Sequence, residues 1–240
     1  MSIPTFLTSI PIAHRGLHDS TRPENTLSAF AHAVEYGYAI ELDIHLLRDN
    51  TVVVFHDDDL RRATGVDKRL KDLTWDEIKD YHVFNSSETI PTLEEVLDLV
   101  AGRVPLLIEF KTDRRAGELE RVAMELLREY TGEYAVQSFN PMSVNWFRKH
   151  APDIARGQLS SFFTDVSLAW WKKWLVKTLK LNCLCKPDFV SYDTRHIPNK
   201  HLAKIELPIL AWVVKSEAEQ VRISKYVDNI IFEDYLPKID

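Results

Sequence analysis

The sequence predicts an α/β fold: a (β/α)8 TIM barrel with a β-hairpin arm and a small insertion after the second strand. Three observations carry this. Apolar strand-like runs alternate with helical patterns nearly to the end of the chain, which implies a parallel sheet covered on its faces. One pair of runs, in "HLLRDNTVVVFHD", is joined only by Asp49-Asn50. Parallel strands cannot be joined so briefly, so the second run should be antiparallel. Setting that arm aside leaves eight parallel strands, the number of a closed barrel.

The first strand is "IPIAH". Leu27, Phe30, Ala31, Ala33 and Val34 then recur at helical spacing. Pro23 and Glu24 suit the start of that helix and Gly37 its end. "AIELDIHLL" is the second strand. A two-residue turn at Asp49-Asn50 sets Arg48 opposite Thr51 and, counting back, Asp43 opposite His56. Residues 57–91 are polar, with one helix expected over 75–79, and read as an insertion over one end of the barrel. The remaining strands are "PLLIEF", "YAVQSF", "IARGQL", "DFVSY", "PILAWVV" and "NIIF". Helices are expected over 93–101, 117–130, 142–150, 165–180, 200–205 and 217–226. Residues 1–240 should form one domain.

Composition narrows the partners. The chain is 45% hydrophobic with a net charge of −6, which argues against a nucleic-acid backbone. Cys183 and Cys185 sit too close in sequence for a relaxed disulfide, so free thiols in a reducing compartment are expected. The N-terminal residues lack the pattern of a signal peptide, and no window long enough to span a membrane is free of charge. A soluble, cytoplasmic protein is expected.

Chemistry concentrates at strand ends. Glu41 and Asp43 alternate along one strand and share a face, with Ile40, Leu42 and Ile44 on the other. Two carboxylates aimed into a barrel lumen are costly unless a cation pairs with them; surface salt bridges are the alternative. Glu109 and Lys111 repeat the pattern, either as a structural ion pair or with Glu109 joining Glu41 and Asp43 around one metal. Three oxygen ligands and no thiolate favour Mg²⁺ or Ca²⁺ over zinc. His14 and His56 each end a strand at what should be the same mouth, and two imidazoles can supply a base and an acid; satisfied structural histidines are the alternative. Arg15 and Lys111, with a metal, can hold a phosphodiester. Gly16 would let the chain turn close beside it.

"HRG", "PENT", "ELD", "FHD" and "EFK", in this order, resemble the glycerophosphodiester phosphodiesterase family over nearly the whole chain. The resemblance implies a β/α barrel and a metal-dependent phosphoric diester hydrolase of glycerol and lipid metabolism, releasing glycerol 3-phosphate and an alcohol from a small-molecule glycerophosphodiester. It implies that His14 and His56 are the acid–base pair. It also implies that Glu41, Asp43 and Glu109 ligate one divalent ion, and that Arg15 and Lys111 contact phosphate. Phe139 in "SFNP" and Trp212 in "LAWVV" match positions of aromatic groups near substrate, with plain core aromatics as the alternative. "PENT" should build a loop and cap the first helix, and Asp57 should orient His56 or the loop rather than bind metal. The ending "IIFEDYLP" departs from the family's threonine-aspartate-x-proline pattern, so Asp234 receives no role.

Two other readings stand beside this one. "FFTDVSLAWWKKWLVKTLKL", residues 162–181, combines Phe162, Phe163, Trp170, Trp171 and Trp174 with lysines. This suits an interfacial helix of a lysophospholipase D or related lipid phosphodiesterase touching membranes; a barrel helix plus loop is the alternative. A non-catalytic phosphoester-binding barrel fits less well, because both histidines, all three carboxylates and Lys111 are present.

Overall fold

The computed structural model describes residues 3–112, 115–162 and 170–239. Eight parallel strands close into a barrel: β1 (Ile12–Ala13), β2 (Ala39–Leu46), β4 (Leu106–Phe110), β5 (Tyr134–Ser138), β6 (Arg156–Ser160), β7 (Phe189–Asp193), β8 (Ile209–Val214) and β9 (Asn229–Phe232). β1 closes the ring by pairing with both β9 and β2. β3 (Val52–Val54) adds antiparallel to the end of β2. The helices are α1 (Phe6–Ser9), α2 (Leu27–Tyr36), α3 (Arg61–Thr64), α4 (Trp75–Ile78), α5 (Leu93–Val100), α6 (Glu118–Leu127), α7 (Pro141–His150), α8 (Trp170–Lys177), α9 (Asn182–Cys185) and α10 (Glu217–Ile223). Outward-facing residues such as Ile40, Leu42, Ile44 and Ile108 bury against Phe30, Ala33, Val96 and Ala123 of the helices.

Three local expectations change. The helix after β1 begins at Leu27, because the Thr26 side chain accepts from Ala29 N and so fixes the cap. Pro23 and Glu24 therefore lie in the preceding loop. Over 200–205 only a 3₁₀ turn, Leu202–Lys204, forms. Of the helix expected over 165–180, residues 165–169 lie outside the described residues, as does Phe163.

The hairpin register is shifted by one residue. Leu47 N donates to Thr51 O and Asn50 N to Leu47 O, so the loop holds three residues rather than two. Asn50 takes a left-handed conformation, φ 66°, which asparagine tolerates and three-residue hairpin loops use. Ile44 then faces Val54, and Phe55 N donates to Asp43 O. Phe55, not His56, stands opposite Asp43, and Phe55 buries with Val53, Leu60 and Ile78 in the insertion's own cluster.

The lower lumen is filled from both sides. Phe6 and Leu7 of α1, an element the sequence reading did not include, pack with Ile12, Leu107, Phe189, Leu210 and Ile231. Gly157 makes room for this layer: a Cβ there would stand 2.2 Å from the Phe189 ring. Above it, Ser191 Oγ donates to Gln137 Oε1 across the lumen at 2.7 Å. With its lower end filled, the barrel opens only toward the C-terminal ends of its strands, where such folds place their chemistry.

Replacing Gly157 with Ala should destabilise the fold by about 1–3 kcal/mol through overpacking. Urea unfolding checks this, and adding Phe189→Leu should recover part of the loss.

Candidate active site

A cavity of about 50 Å³ at the barrel mouth is lined by His14, Arg15, Glu41, His56, Glu109, Lys111, Phe139 and Trp212. Asp43 lies beneath it, 1% exposed. All nine sequence-selected residues thus converge.

Two adjacent strands build the acid cluster. β2 turns Glu41 and Asp43 inward, and parallel register sets Glu109 of β4 beside Asp43. Ligand atoms of Glu41, Asp43 and Glu109 lie within 4.8 Å of one another, and all three residues are buried. Lys111 Nζ bridges Asp43 Oδ1 at 2.8 Å and Glu109 Oε1 at 2.6 Å. Arg15 Nε stands 3.3 Å from Asp43 Oδ2, while Arg15 N donates to Glu41 Oε2 at 3.0 Å. Asn25 Nδ2 donates to Asp43 Oδ2 at 2.8 Å.

The charges do not balance among the side chains. Burial would raise the Asp43 carboxyl, but Lys111, His56 and Arg15 outweigh it and hold the group well below its ordinary range. Burial, with Asp43 and Glu109 close by, pushes Glu41 well above the usual value. Burial also raises Glu109, with Asp43 adding to the effect and Lys111 opposing it. Two cations, Arg15 and Lys111, thus serve three carboxylates, which leaves a surplus of negative charge. An additional positive charge at this cluster would remove that surplus, and three hard oxygen donors without a thiolate suit Mg²⁺ or Ca²⁺. The donor set therefore fits such an ion.

Each histidine is held through Nδ1 by a carboxylate. His14 Nδ1 meets Glu233 Oε2 at 2.6 Å, and His56 Nδ1 meets Asp57 Oδ1 at 2.6 Å. Both rings keep Nε2 as the exchangeable position. Burial lowers the His14 pKa despite the Glu233 bond. Glu233 follows β9, beside β1, and is gripped also by Lys215 Nζ at 2.5 Å. Burial alone would raise its carboxyl, but hydrogen bonds from His14 and His18 drive it down. Asp57 accepts from Arg62 Nε at 2.6 Å. Arg62, on α3 of the insertion, also reaches Glu24 at 2.6 Å, and Glu24 accepts from Arg15 Nη1 at 2.7 Å.

Backbone geometry supports this arrangement. Arg15 has φ 54°, a costly conformation, and its carbonyl accepts from Asn25 N at 2.9 Å. Gly16, at φ +82°, lies where a Cβ would meet the Phe30 ring at 2.9 Å. On the far wall Phe139 and Trp212 make an edge-to-face pair with centroids 5.5 Å apart. Trp212 Nε1 is buried without a hydrogen-bond partner among the described residues.

The sequence reading missed Glu233, Asn25, Glu24 and Arg62. Glu233 had a legible signal: in a closed barrel the residue after the last strand stands beside the end of the first. Asn25 and Glu24 sat in "PENT", read there as loop and cap only.

The family model described as "Glycerophosphoryl diester phosphodiesterase family" matches residues 14–236. A glycerophosphodiester phosphodiesterase of Bacillus altitudinis is 35% identical over 154 residues, 59% of this chain and 62% of that protein. One of Caldanaerobacter subterraneus is 37% identical over 165 residues, 64% of this chain and 67% of that one. The chain thus covers less than two thirds of the first of these relatives. In structure, a phosphodiesterase of Oleispira antarctica, solved with the product sn-glycerol-3-phosphate, superposes with a TM-score of 0.78, covering 94% of both chains at 24% identity, a likeness of fold.

Saturating Mg²⁺ or Ca²⁺ should stabilise the protein, by about 2.7 kcal/mol at a hundredfold excess over Kd. Thermal unfolding with and without the ion measures this, and Glu41→Gln or Glu109→Gln should remove the response.

Proposed function

The chain belongs to the glycerophosphoryl diester phosphodiesterase family, and from that premise we propose that it hydrolyses glycerophosphodiesters to glycerol 3-phosphate and an alcohol. The observation carrying this is the meeting of two carboxylate-held imidazoles, three buried carboxylates, Arg15 and Lys111 around one small cavity.

Glu41, Asp43 and Glu109 would hold one Mg²⁺ or Ca²⁺, which when bound polarises a phosphoryl oxygen and acidifies a nucleophilic hydroxyl. The protein's own groups do the rest. Arg15 and Lys111 hold the non-bridging phosphate oxygens and offset charge growing on them. One imidazole takes, through Nε2, the proton of the nucleophile, water or the substrate's own glycerol hydroxyl, as that oxygen bonds to phosphorus; where the hydroxyl attacks, water then opens the cyclic phosphate to glycerol 3-phosphate. The other gives a proton to the departing alcohol oxygen as its bond to phosphorus breaks. Glu233 and Asp57 keep both rings aimed. Phe139 and Trp212 wall one side of the site, and Trp212 Nε1 donates to a substrate oxygen. The barrel and its insertion act as one domain, supported by Arg62 linking α3 to Asp57 and Glu24. The two free thiols fit a cytoplasmic setting. Among the described residues no helix is long and apolar enough to cross a membrane.

A second reading, hydrolysis of lysophospholipids at a membrane surface, has its own support. Trp170, Trp171 and Trp174 are 80%, 49% and 46% exposed. The last turn of α8 meets the C-terminal ends of β6 and β7, where Ser160 Oγ donates to Val176 O at 2.9 Å and Tyr192 Oη donates to Lys177 O at 2.9 Å. Tryptophans beside Lys173, Lys177 and Lys180 suit an anionic bilayer interface.

Release of glycerol 3-phosphate from glycerophosphocholine should require the divalent ion and stop with chelator. His14→Ala and His56→Ala should each lower kcat by about 10²–10⁴-fold. Unchanged turnover in both variants would remove the acid–base roles. For the membrane reading, sedimentation with phosphatidylglycerol vesicles should carry the protein down, and Trp170→Ala with Trp174→Ala should release it; no sedimentation of the unaltered chain rejects it.

A further inference from the structure

The catalytic cavity has a larger neighbour. A second cavity, of about 260 Å³, opens on the other side of Lys111, which lines both. Its walls come from three loops at the barrel mouth: the hairpin turn with Arg48, the insertion with Arg69 and Lys71, and the segment after β4 with Arg115. Among the described residues, five cations therefore face one space, against Asp58 and Glu118. This is a local concentration, because the chain as a whole carries −6.

Arg48 is shared with Glu77 at 3.1 Å. Arg69 and Arg115 are exposed and make no ion pair among the described residues. A cavity of this size nears the roughly 300 Å³ at which small-molecule sites begin. The two sides of the catalytic centre thus differ: Phe139, Leu159 and Trp212 wall the first cavity, and guanidinium and ammonium groups wall the second. A diester with its phosphorus at Lys111 would extend one ester arm toward each.

We propose that the second cavity is an anion subsite for the substrate's arm on that side, selecting glycerophosphodiesters whose alcohol carries another phosphate. This rests on the hydrolase reading above and specifies its substrate class. Arg69 and Arg115 are specificity residues there; they touch neither the carboxylates nor the histidines. Guanidinium–phosphate pairs are charge-assisted and frequently bidentate, and a pair at this partly enclosed site should favour the doubly phosphorylated substrate by about tenfold.

The test compares two substrates that differ by one phosphate: glycerophosphoinositol and glycerophosphoinositol 4-phosphate. The unaltered enzyme should show kcat/KM about tenfold higher for the second, with the advantage shrinking as salt rises. An Arg69→Glu, Arg115→Glu double variant should lose the preference while keeping its turnover of glycerophosphoinositol. Equal kcat/KM for the two substrates, or a preference that survives the double variant, overturns the subsite and leaves the hydrolase reading standing. Hydrolysis of neither while glycerophosphocholine is cleaved overturns the subsite alone; hydrolysis of none of the three overturns both.

Discussion

Three carboxylates stand where water is scarce, and the rest of this molecule is arranged around that fact. Glu41, Asp43 and Glu109 are buried within ligand distance of one another, an expensive arrangement that only nearby positive charge makes tolerable. Lys111 and Arg15 supply part of it. Burial beside Asp43 and Glu109 raises the Glu41 carboxyl well above its usual range. Such a cluster contributes little to folding and is explained by what it can hold.

The barrel makes this arrangement rigid. Parallel register places Asp43 beside Glu109, and closure brings the end of β9 beside the end of β1. Glu233 can therefore grip His14 although 219 residues separate them. The insertion supplies the opposite clamp. Arg62 ties Asp57, and through it His56, to Glu24 and Arg15. Each imidazole is thus set by a carboxylate outside the three-acid cluster, Glu233 for His14 and Asp57 for His56.

Much of this was legible in the sequence because it rests on strand alternation. Period-two spacing placed Glu41 with Asp43 and Glu109 with Lys111, and chain order placed His14 and His56 at one mouth. What failed was local. The hairpin register depended on whether the Asp49-Asn50 turn held two residues or three, and the left-handed Asn50 decided it. Glu233 went unseen because its partner is assigned by ring closure, a property of the whole sheet. Asn25 and Glu24 went unseen because a loop's side-chain contacts have no sequence period. The plug of Phe6 and Leu7 is too short, at four residues for α1, to produce a helical pattern.

The proposed hydrolysis depends on one divalent ion meeting three carboxylates at the barrel mouth. Crystals soaked in Mn²⁺ and measured at the manganese absorption edge test this directly. A single anomalous peak bonded to Glu41, Asp43 and Glu109, with Lys111 Nζ moved out from between Asp43 and Glu109, is the expected result. No peak at that cluster, or Lys111 still bridging the two acids beside a peak elsewhere, would contradict it.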